Sequence, residues 1–270
     1  SKKALDQLVA AGVFTIDQLL QRPDLHPLLT PTQYSFVEAY RLTADDQAAV
    51  SVNMAVLEGC SWLQAPVHLH LDFEAVTLAL PTRTGDAPWA QSLTQFSVTT
   101  DNGETFSEVG FLSDGTDDRQ QLAEALIDAL PGTAPIVVYS ESYERSRIRE
   151  LAELYPDLRA PLQGILGRIV DLRPLANDAI MGLPGGSLKV VSPWAEPKFG
   201  YDDLVISNGN LANGAMQLLM LEGGESILKS ATGLSRDEVR SELLAYCARD
   251  TMATAVVVRR FKQLLTNQTT

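Results

Sequence analysis

The order of apolar patterns along the 270-residue chain predicts an α/β domain built on a mixed sheet. Three strand-like segments come first, joined by short connections, which is the pattern of an antiparallel meander. Two short apolar strands then alternate with amphipathic helices, as is typical of parallel strands that are connected by helices. We therefore predict that residues 60–270 form three antiparallel strands followed by parallel strands, with helices on both faces.

Residues 1–58 are predicted to form a small helical region that precedes the sheet. In ALDQLVAAGVFTIDQLLQ, apolar residues recur with helical spacing on both sides of Gly12, and Thr15 is suited to cap the second helix. The pattern resembles a helix-hairpin-helix element, a type that often contacts phosphate backbones. The alternative is a plain helical hairpin that packs on the main domain, and the shortage of basic residues favours it.

The strands and helices of the main domain follow from local signals. VHLHLDFEAVTLAL predicts the first strand, and QSLTQFSVTTDNGETFSEVGFLS predicts two more around a turn at Asn102-Gly103. DDRQQLAEALIDALPG is an amphipathic helix, APIVVYS a buried strand, YERSRIRELAELYP a helix, and GRIVDLRPLA contains another short strand. The tail is helical from a capping box of Ser235 and Glu238. The Gly-rich residues 176–232 give no clear pattern. This order of elements is that of an RNase H-like domain.

The composition restricts the class of protein. A net charge of −13 is unfavourable for a nucleic-acid binder, which normally presents a basic face, but it suits a metal-binding or partner-dependent domain. Two cysteines, Cys60 and Cys247, are too few for a disulfide framework, and Cys247 is expected to be buried. No run of about 18 apolar residues occurs, so no membrane-spanning helix and no membrane partner are expected. With so few cysteines and no visible signal peptide, a reducing cytoplasm is the expected location.

Four acidic residues form the candidate site. Asp72 and Glu74 are two residues apart in a strand, so their side chains share one face. Glu144 follows a buried strand at the start of a helix, and Asp250 lies in the last helix, four residues after Tyr246. If these acids converge, their mutual repulsion is a cost unless cations lie between them. Two Mg²⁺ or Mn²⁺ ions, which prefer carboxylate oxygen, would meet that requirement.

The segments that carry these acids resemble DnaQ-like, DEDD-type 3′–5′ exonucleases of the tyrosine subtype. LDFEA is similar to the D-x-E motif of that superfamily, and YCARDTMAT is similar to its Y-x-x-x-D motif. Residues 68–260 resemble more closely a bacterial domain family of unknown function with a predicted RNase H-like nuclease core, which also has QFS and YDDL segments. In the second motif, Ser140, Tyr143 and Glu144 stand where the exonucleases have Asn, Phe and Asp, although the closer family also has Glu.

The resemblance implies a metal-dependent 3′–5′ exonuclease that acts on single-stranded or frayed ends of DNA or RNA. The four acids would hold two Mg²⁺ or Mn²⁺ ions, and Tyr246 would orient the attacking water. The altered second motif and the acidic charge favour an alternative, a degenerate nuclease fold that serves as a binding or assembly module. In a third interpretation, a missing basic domain or a partner protein supplies the affinity for nucleic acid.

Several neighbouring residues have both a functional and a structural interpretation. His68 and His70 share a strand face with the two acids, but a structural role is favoured over metal ligation. Asp171 is expected to cap a helix. The three arginines of residues 145–149 would contact phosphate or form a solvated helix face. Lys189, by its resemblance to the family, would lie near the substrate.

Overall fold

The structure of the chain is a computed structural model that describes residues 2–30, 33, 34, 37, 50–183 and 185–267, without the side chains of residues 2 and 3. The strands are β1 (Ser51–Val52), β2 (His68–Thr77), β3 (Gln91–Asp101), β4 (Phe106–Leu112), β5 (Ile136–Val138), β6 (Ile169–Asp171) and β7 (Ile180–Met181). The α-helices are α1 (Lys2–Ala10), α2 (Ile16–Leu20), α3 (Met54–Glu58), α4 (Arg119–Ala129), α5 (Ser142–Leu154), α6 (Arg159–Leu166), α7 (Leu172–Ala179), α8 (Leu188–Ala195), α9 (Gly209–Met220), α10 (Gly224–Thr232) and α11 (Arg236–Asn267).

The main sheet has five strands in the order β4-β3-β2-β5-β6. β2, β3 and β4 pair in antiparallel fashion, whereas β2 and β5, and then β5 and β6, pair in parallel. The prediction of a mixed sheet with an antiparallel meander followed by parallel strands, flanked by helices, is confirmed. A separate two-stranded sheet joins β1 to β7.

Local signals of the sequence determine several element boundaries as predicted. At the turn between β3 and β4, Gly103 has a φ of 88°, and the side chain of Asn102 accepts hydrogen bonds from the backbone amides of Glu104 and Thr105 at 3.0 and 2.8 Å. Before α11, the backbone amide of Ser235 donates to Glu238 Oε2 at 2.8 Å, which completes the predicted capping box.

The two faces of β2 contact different parts of the molecule. Leu69, Leu71 and Phe73 point into a large apolar cluster that is completed by residues of α4, α5 and α6, among them Leu122 and Ile148. The alternate residues of β2 point to the opposite face, where α11 crosses the sheet. The central strand β2 is therefore covered on both faces, by α4, α5 and α6 on one side and by α11 on the other.

The contact between α11 and the sheet is polar at its centre. Thr251 Oγ1 lies 2.8 Å from Thr99 Oγ1 and 3.2 Å from Ser97 Oγ on β3. Thr254 Oγ1 lies 2.9 Å from His70 Nδ1 on β2, and the side chain of Gln95 donates to the backbone carbonyl of α11 at Leu243. Buried hydroxyls and amides need such partners, so these bonds determine the register of α11 on the sheet.

The predicted helical region 1–58 is described only in part, since residues 31, 32, 35, 36 and 38–49 lie outside the described residues. Gly12 ends the first helical segment with a φ of 76°, and Thr15 caps α2 in a capping box with Gln18. Further along, Leu57 of α3 belongs to an apolar cluster that includes Val257 of α11. Residues 50–58 therefore pack with the main domain. No helix of the described residues has the length and apolar character needed to cross a lipid bilayer.

The hydroxyl cluster beneath α11 yields a test of the fold. We expect Thr251→Val to lower the free energy of unfolding by about 1–3 kcal/mol, because Thr99 and Ser97 lose a buried hydrogen-bond partner. Ser241→Ala is the control, since Ser241 lies exposed on the same helix and its hydroxyl donates to the backbone carbonyl of Asp237 one turn earlier, and we expect a change within about 0.5 kcal/mol. Urea denaturation measures both values, and equal effects would contradict this account.

Candidate metal centre

Two acids of β2 and one acid of α11, which is distant from them in sequence, lie together where α11 crosses β2. One carboxylate oxygen each of Asp72, Glu74 and Asp250 lies within 4.8 Å of the other two. We call these three residues the acid cluster. At this point β3 has a bulge: Glu74 pairs with Gln95 and Ala75 with Leu93, so Thr94 is not opposed by a residue of β2 in the ladder, although its hydroxyl donates to the carbonyl of Glu74. Bulges are common beside functional sites because they redirect side chains.

The electrostatics of the acid cluster are dominated by burial and by the mutual repulsion of its carboxylates. Burial raises the pKa of Asp72 well above its ordinary value, and the charges of Asp250, Glu74 and Glu144 raise it further. Burial, followed by the charge of Asp250, raises the pKa of Glu74 to about 8. No salt bridge to these carboxylates is found among the described residues. A divalent cation would offset the repulsion.

Glu144 lies at the edge of the acid cluster and is not part of it. It is almost fully buried in the first turn of α5, and burial raises its pKa to about 8. Its charge affects Asp72, so the two carboxylates are near one another. Among the described residues, Glu144 Oε2 has no hydrogen-bond partner, which is unusual for a buried carboxylate oxygen. An unpartnered buried oxygen beside three acids fits the donor set that Mg²⁺ or Mn²⁺ prefers.

The backbone that carries Glu144 is held by Asp171. Asp171 Oδ1 and Oδ2 accept hydrogen bonds from the amides of Ser140 and Glu141 at 2.9 and 3.0 Å. Asp171 also accepts from the amide of Arg173, so the prediction that it caps a helix is confirmed for α7. Ser140 has a φ of 80°, a left-handed conformation that is uncommon for residues other than glycine. The Asp171 carboxylate therefore stabilises a strained turn directly before α5.

Two tyrosines contact Asp250. The Tyr201 hydroxyl donates a hydrogen bond to Asp250 Oδ1 at 2.6 Å. Burial raises the pKa of Asp250, and hydrogen bonds from Tyr201 and Tyr246 oppose this effect because they favour the charged carboxylate. The two rings are 6.5 Å apart. Tyr246 was predicted as a site residue. Tyr201 was missed, although its position in the YDDL segment was a signal that could have identified it.

Lys189 lies beside these tyrosines. Its Nζ atom is 4.6 Å from the centroid of the Tyr201 ring and 5.5 Å from that of Tyr246, and it donates to the backbone carbonyl of Ser207. Its positive charge lowers the pKa of Glu74 against the larger effect of burial. The structure thus places Lys189 close to the candidate site.

The two strand histidines have structural partners. His70 is fully buried against Thr254, and burial lowers its pKa to about 3. His68 Nε2 lies 3.0 Å from the backbone carbonyl of Trp62. Neither histidine belongs to the acid cluster. Cys247 is buried as expected, with its Sγ atom 3.5 Å from Asp72 Oδ2, and burial raises the pKa of its thiol.

Two of the three arginines near Glu144 are engaged within the fold. Arg145 donates to Glu141 at 2.5 Å and to the carbonyls at the end of α6 and the start of β6. Arg147 donates to Glu150 at 2.5 Å and to the carbonyl of Gln91 at 2.9 Å. Arg149 is exposed on α5. The interpretation of Arg145 and Arg147 as phosphate contacts therefore loses support.

Comparisons with known proteins identify related chains without a described activity. The model of a family described as "Domain of unknown function (DUF2779)" matches residues 69–187. An "Uncharacterized protein MG366 homolog" of Mycoplasma pneumoniae (strain ATCC 29342 / M129 / Subtype 1) is 25% identical over 224 residues, which cover 74% of this chain and 33% of that protein. The chain therefore spans about a third of the length of this relative. No solved structure matches the chain.

These matches agree with the resemblance to a domain family of unknown function. The family match begins in β2, includes Asp72, Glu74 and Glu144, and ends just before Lys189. Tyr201, Tyr246 and Asp250 lie beyond it. Neither match names a catalytic activity.

The raised pKa values of Glu74 and Glu144 predict how stability depends on pH in the absence of metal. Both pKa values are about 8 in the folded protein and ordinarily 4.5, so the folded state retains protons that the unfolded chain releases. With a chelator present, the free energy of unfolding should therefore fall as the pH rises towards 8. The lowered pKa values of His70 and His68 oppose part of this decrease just above pH 6.5, because the unfolded chain still releases protons from these residues there, and this contribution is the same in variants that keep both histidines.

The measurement compares urea denaturation at pH 6.5 and 8. Each retained proton contributes a slope of about 1.4 kcal/mol per pH unit, so Glu74→Gln should show a smaller decrease than the unaltered protein. Glu104→Gln changes an exposed acid of the hairpin and should leave the slope unchanged. An unaltered slope in Glu74→Gln would contradict the account of this carboxyl.

Proposed function

We propose that the chain is a metal-dependent 3′–5′ exonuclease with an RNase H-like fold, acting on single-stranded or frayed ends of DNA or RNA. The observation that carries the proposal is the acid cluster. Asp72, Glu74 and Asp250 come from a strand and a helix about 175 residues apart and meet without a salt bridge to a basic residue among the described residues. The sheet order, an antiparallel meander whose first strand adjoins parallel strands, supports the fold assignment.

The residues at the candidate metal centre fit two Mg²⁺ or Mn²⁺ ions. Asp72, Glu74 and Asp250 would hold them, with Glu144 supplying a further oxygen from the edge of the cluster. When bound, such ions activate water and stabilise the leaving oxygen of a phosphodiester.

The side chains around the acid cluster would position the reacting groups. Tyr246 is held beside Asp250, where its hydroxyl would orient the attacking water. Lys189 would place a positive charge near the phosphate, since it is exposed and lies next to both tyrosine rings. Attack at the terminal phosphodiester would release a nucleoside 5′-monophosphate and leave a 3′ hydroxyl on the shortened strand.

A second candidate function is a binding or assembly module on a degenerate nuclease fold. The position of Glu144 outside the acid cluster favours this alternative, as does the net charge of −13. In a third interpretation, the affinity for nucleic acid comes from a basic domain of a longer protein or from a partner protein. The Mycoplasma pneumoniae relative is about three times as long as the segment that matches.

The first test measures nuclease activity directly. We expect the protein with millimolar Mn²⁺ to release mononucleotides from 3′-labelled single-stranded oligonucleotides. The double variant Asp72→Ala, Glu74→Ala should lose activity at least a hundredfold, because both residues belong to the acid cluster. Glu104→Gln is the control and should remain fully active. Equal rates in the double variant would contradict the proposed mechanism.

The second test distinguishes an intact metal site from a scaffold. We expect millimolar Mn²⁺ to raise the melting temperature of the chelator-treated protein, because an ion that binds only the folded state stabilises it by mass action. The shift should be larger at pH 8 than at pH 6.5, since the raised pKa of Glu74 means that the ion competes with protons at lower pH. A melting temperature that is unaffected by Mn²⁺ would favour the scaffold.

A further inference from the structure

We propose that Tyr201 is a positioning residue of the candidate metal centre, holding the Asp250 carboxylate in the acid cluster. The inference rests on the proposed function, because it assigns a role in the site that the nuclease would use. Tyr201 lies in the segment between α8 and α9, so a third part of the chain contacts the cluster residues of β2 and α11.

The contact between Tyr201 and Asp250 is short and partly buried. The hydroxyl donates to Asp250 Oδ1 at 2.6 Å, and Tyr201 as a residue is 8% exposed. Hydrogen bonds from a hydroxyl to a carboxylate at this distance are among the stronger ones in proteins. Because Asp72 and Glu74 repel the Asp250 carboxylate, a donor on its other side opposes rotation away from the cluster.

The segment that carries Tyr201 is anchored to the same helix as Asp250. Arg249, the neighbour of Asp250, donates to the backbone carbonyl of Gly200 and forms a two-bond ion pair with Asp203 at 2.8 Å. Two turns before Arg249 on α11, the Glu242 carboxylate accepts a hydrogen bond from the backbone amide of Val205 at 2.8 Å. These contacts lie on both sides of Tyr201 in sequence, so the position of the ring relative to α11 is determined before any ligand binds.

The surroundings of the ring also favour this role. The Phe199 ring packs edge-on against the Tyr201 ring, with 6.1 Å between the ring centroids. Lys189 Nζ lies 4.6 Å from the centroid of the Tyr201 ring. Lys189 forms no salt bridge with the acids among the described residues, so it leaves their oxygens available to a cation. Tyr246 lies on α11 itself, one turn before Asp250, and cannot tie that helix to another segment as Tyr201 does.

The experiment measures Mn²⁺ affinity without relying on catalysis. The free Mn²⁺ signal in electron paramagnetic resonance is titrated with chelator-treated full chain, either unaltered or carrying Tyr201→Phe. We expect the variant to bind Mn²⁺ roughly tenfold more weakly, as is typical when a hydrogen-bond partner of a metal ligand is removed. Because the variant keeps the aromatic ring and loses only the hydroxyl, we expect its unfolding midpoint without metal to stay close to that of the unaltered protein.

Tyr139→Phe is the matched control. The Tyr139 hydroxyl donates at 2.7 Å to the backbone carbonyl of Gly186, so its removal deletes a bond of similar length that does not involve an acid. We expect this variant to bind Mn²⁺ as the unaltered protein does. A second variant, Asp203→Ala, weakens the anchor to Arg249 at an exposed position and should lower the affinity severalfold while keeping the Tyr201 hydroxyl.

The outcomes separate the two proposals. If the unaltered protein binds Mn²⁺ and Tyr201→Phe binds within twofold of it, the positioning role is overturned while the proposed nuclease stands. If Tyr139→Phe weakens binding as much as Tyr201→Phe, the effect is general to tyrosine hydroxyls and the inference is likewise overturned. Absence of Mn²⁺ binding in the unaltered protein overturns both proposals. If Tyr201→Phe does not fold, the Asp203→Ala affinity decides in the same way.

Discussion

The candidate site depends on the packing of α11 across β2, which brings three carboxylates together against their mutual repulsion. Asp72 and Glu74 are on the strand, Asp250 is on the helix, and burial makes the charged form of each less favourable. The apolar clusters on both sides of the sheet supply the free energy that offsets this cost. The acids are therefore held together by the fold, and a cation would relieve strain that the packing has already imposed.

The same packing explains why the strand HLHLDFE does not divide into a buried face and a solvated face. Leu69 and Leu71 enter the apolar cluster, but His68 and His70 on the other face are also buried. His70 is compatible with that position because it is neutral and bonds to Thr254 of α11. Towards the carboxyl end of β2 the same face becomes more open, and there the polar residues are acids. A single strand face thus changes from polar core to candidate site within a few residues.

The sequence allowed prediction of the elements whose signals are local. The hairpin turn at Asn102-Gly103 depends on neighbouring residues, and so does the capping box before α11. The convergence of Asp250 with β2 followed from a resemblance to a known motif order, because no local signal reports a contact across the chain. Tyr201 belongs to the YDDL segment, which marks a resemblance but not a contact, and its hydrogen bond to a residue 49 positions away could not be read from a Gly-rich segment without clear periodicity.

Glu144 shows how one long-range contact limits what a motif can reveal. Asp171, at the end of β6, accepts hydrogen bonds from the two amides that precede α5 and thereby holds Ser140 at a positive φ. Asparagine, which the exonuclease motif has at this position, adopts that conformation more readily than serine does. With the backbone held, the position of the acid in α5 depends on its own side chain, and Glu is one methylene longer than Asp. Glu144 lies beside the acid cluster, with a buried oxygen that has no hydrogen-bond partner among the described residues. Glu144 therefore offers a carboxylate oxygen without a protein partner among the described residues, which is the property that the proposed metal centre would need from this position.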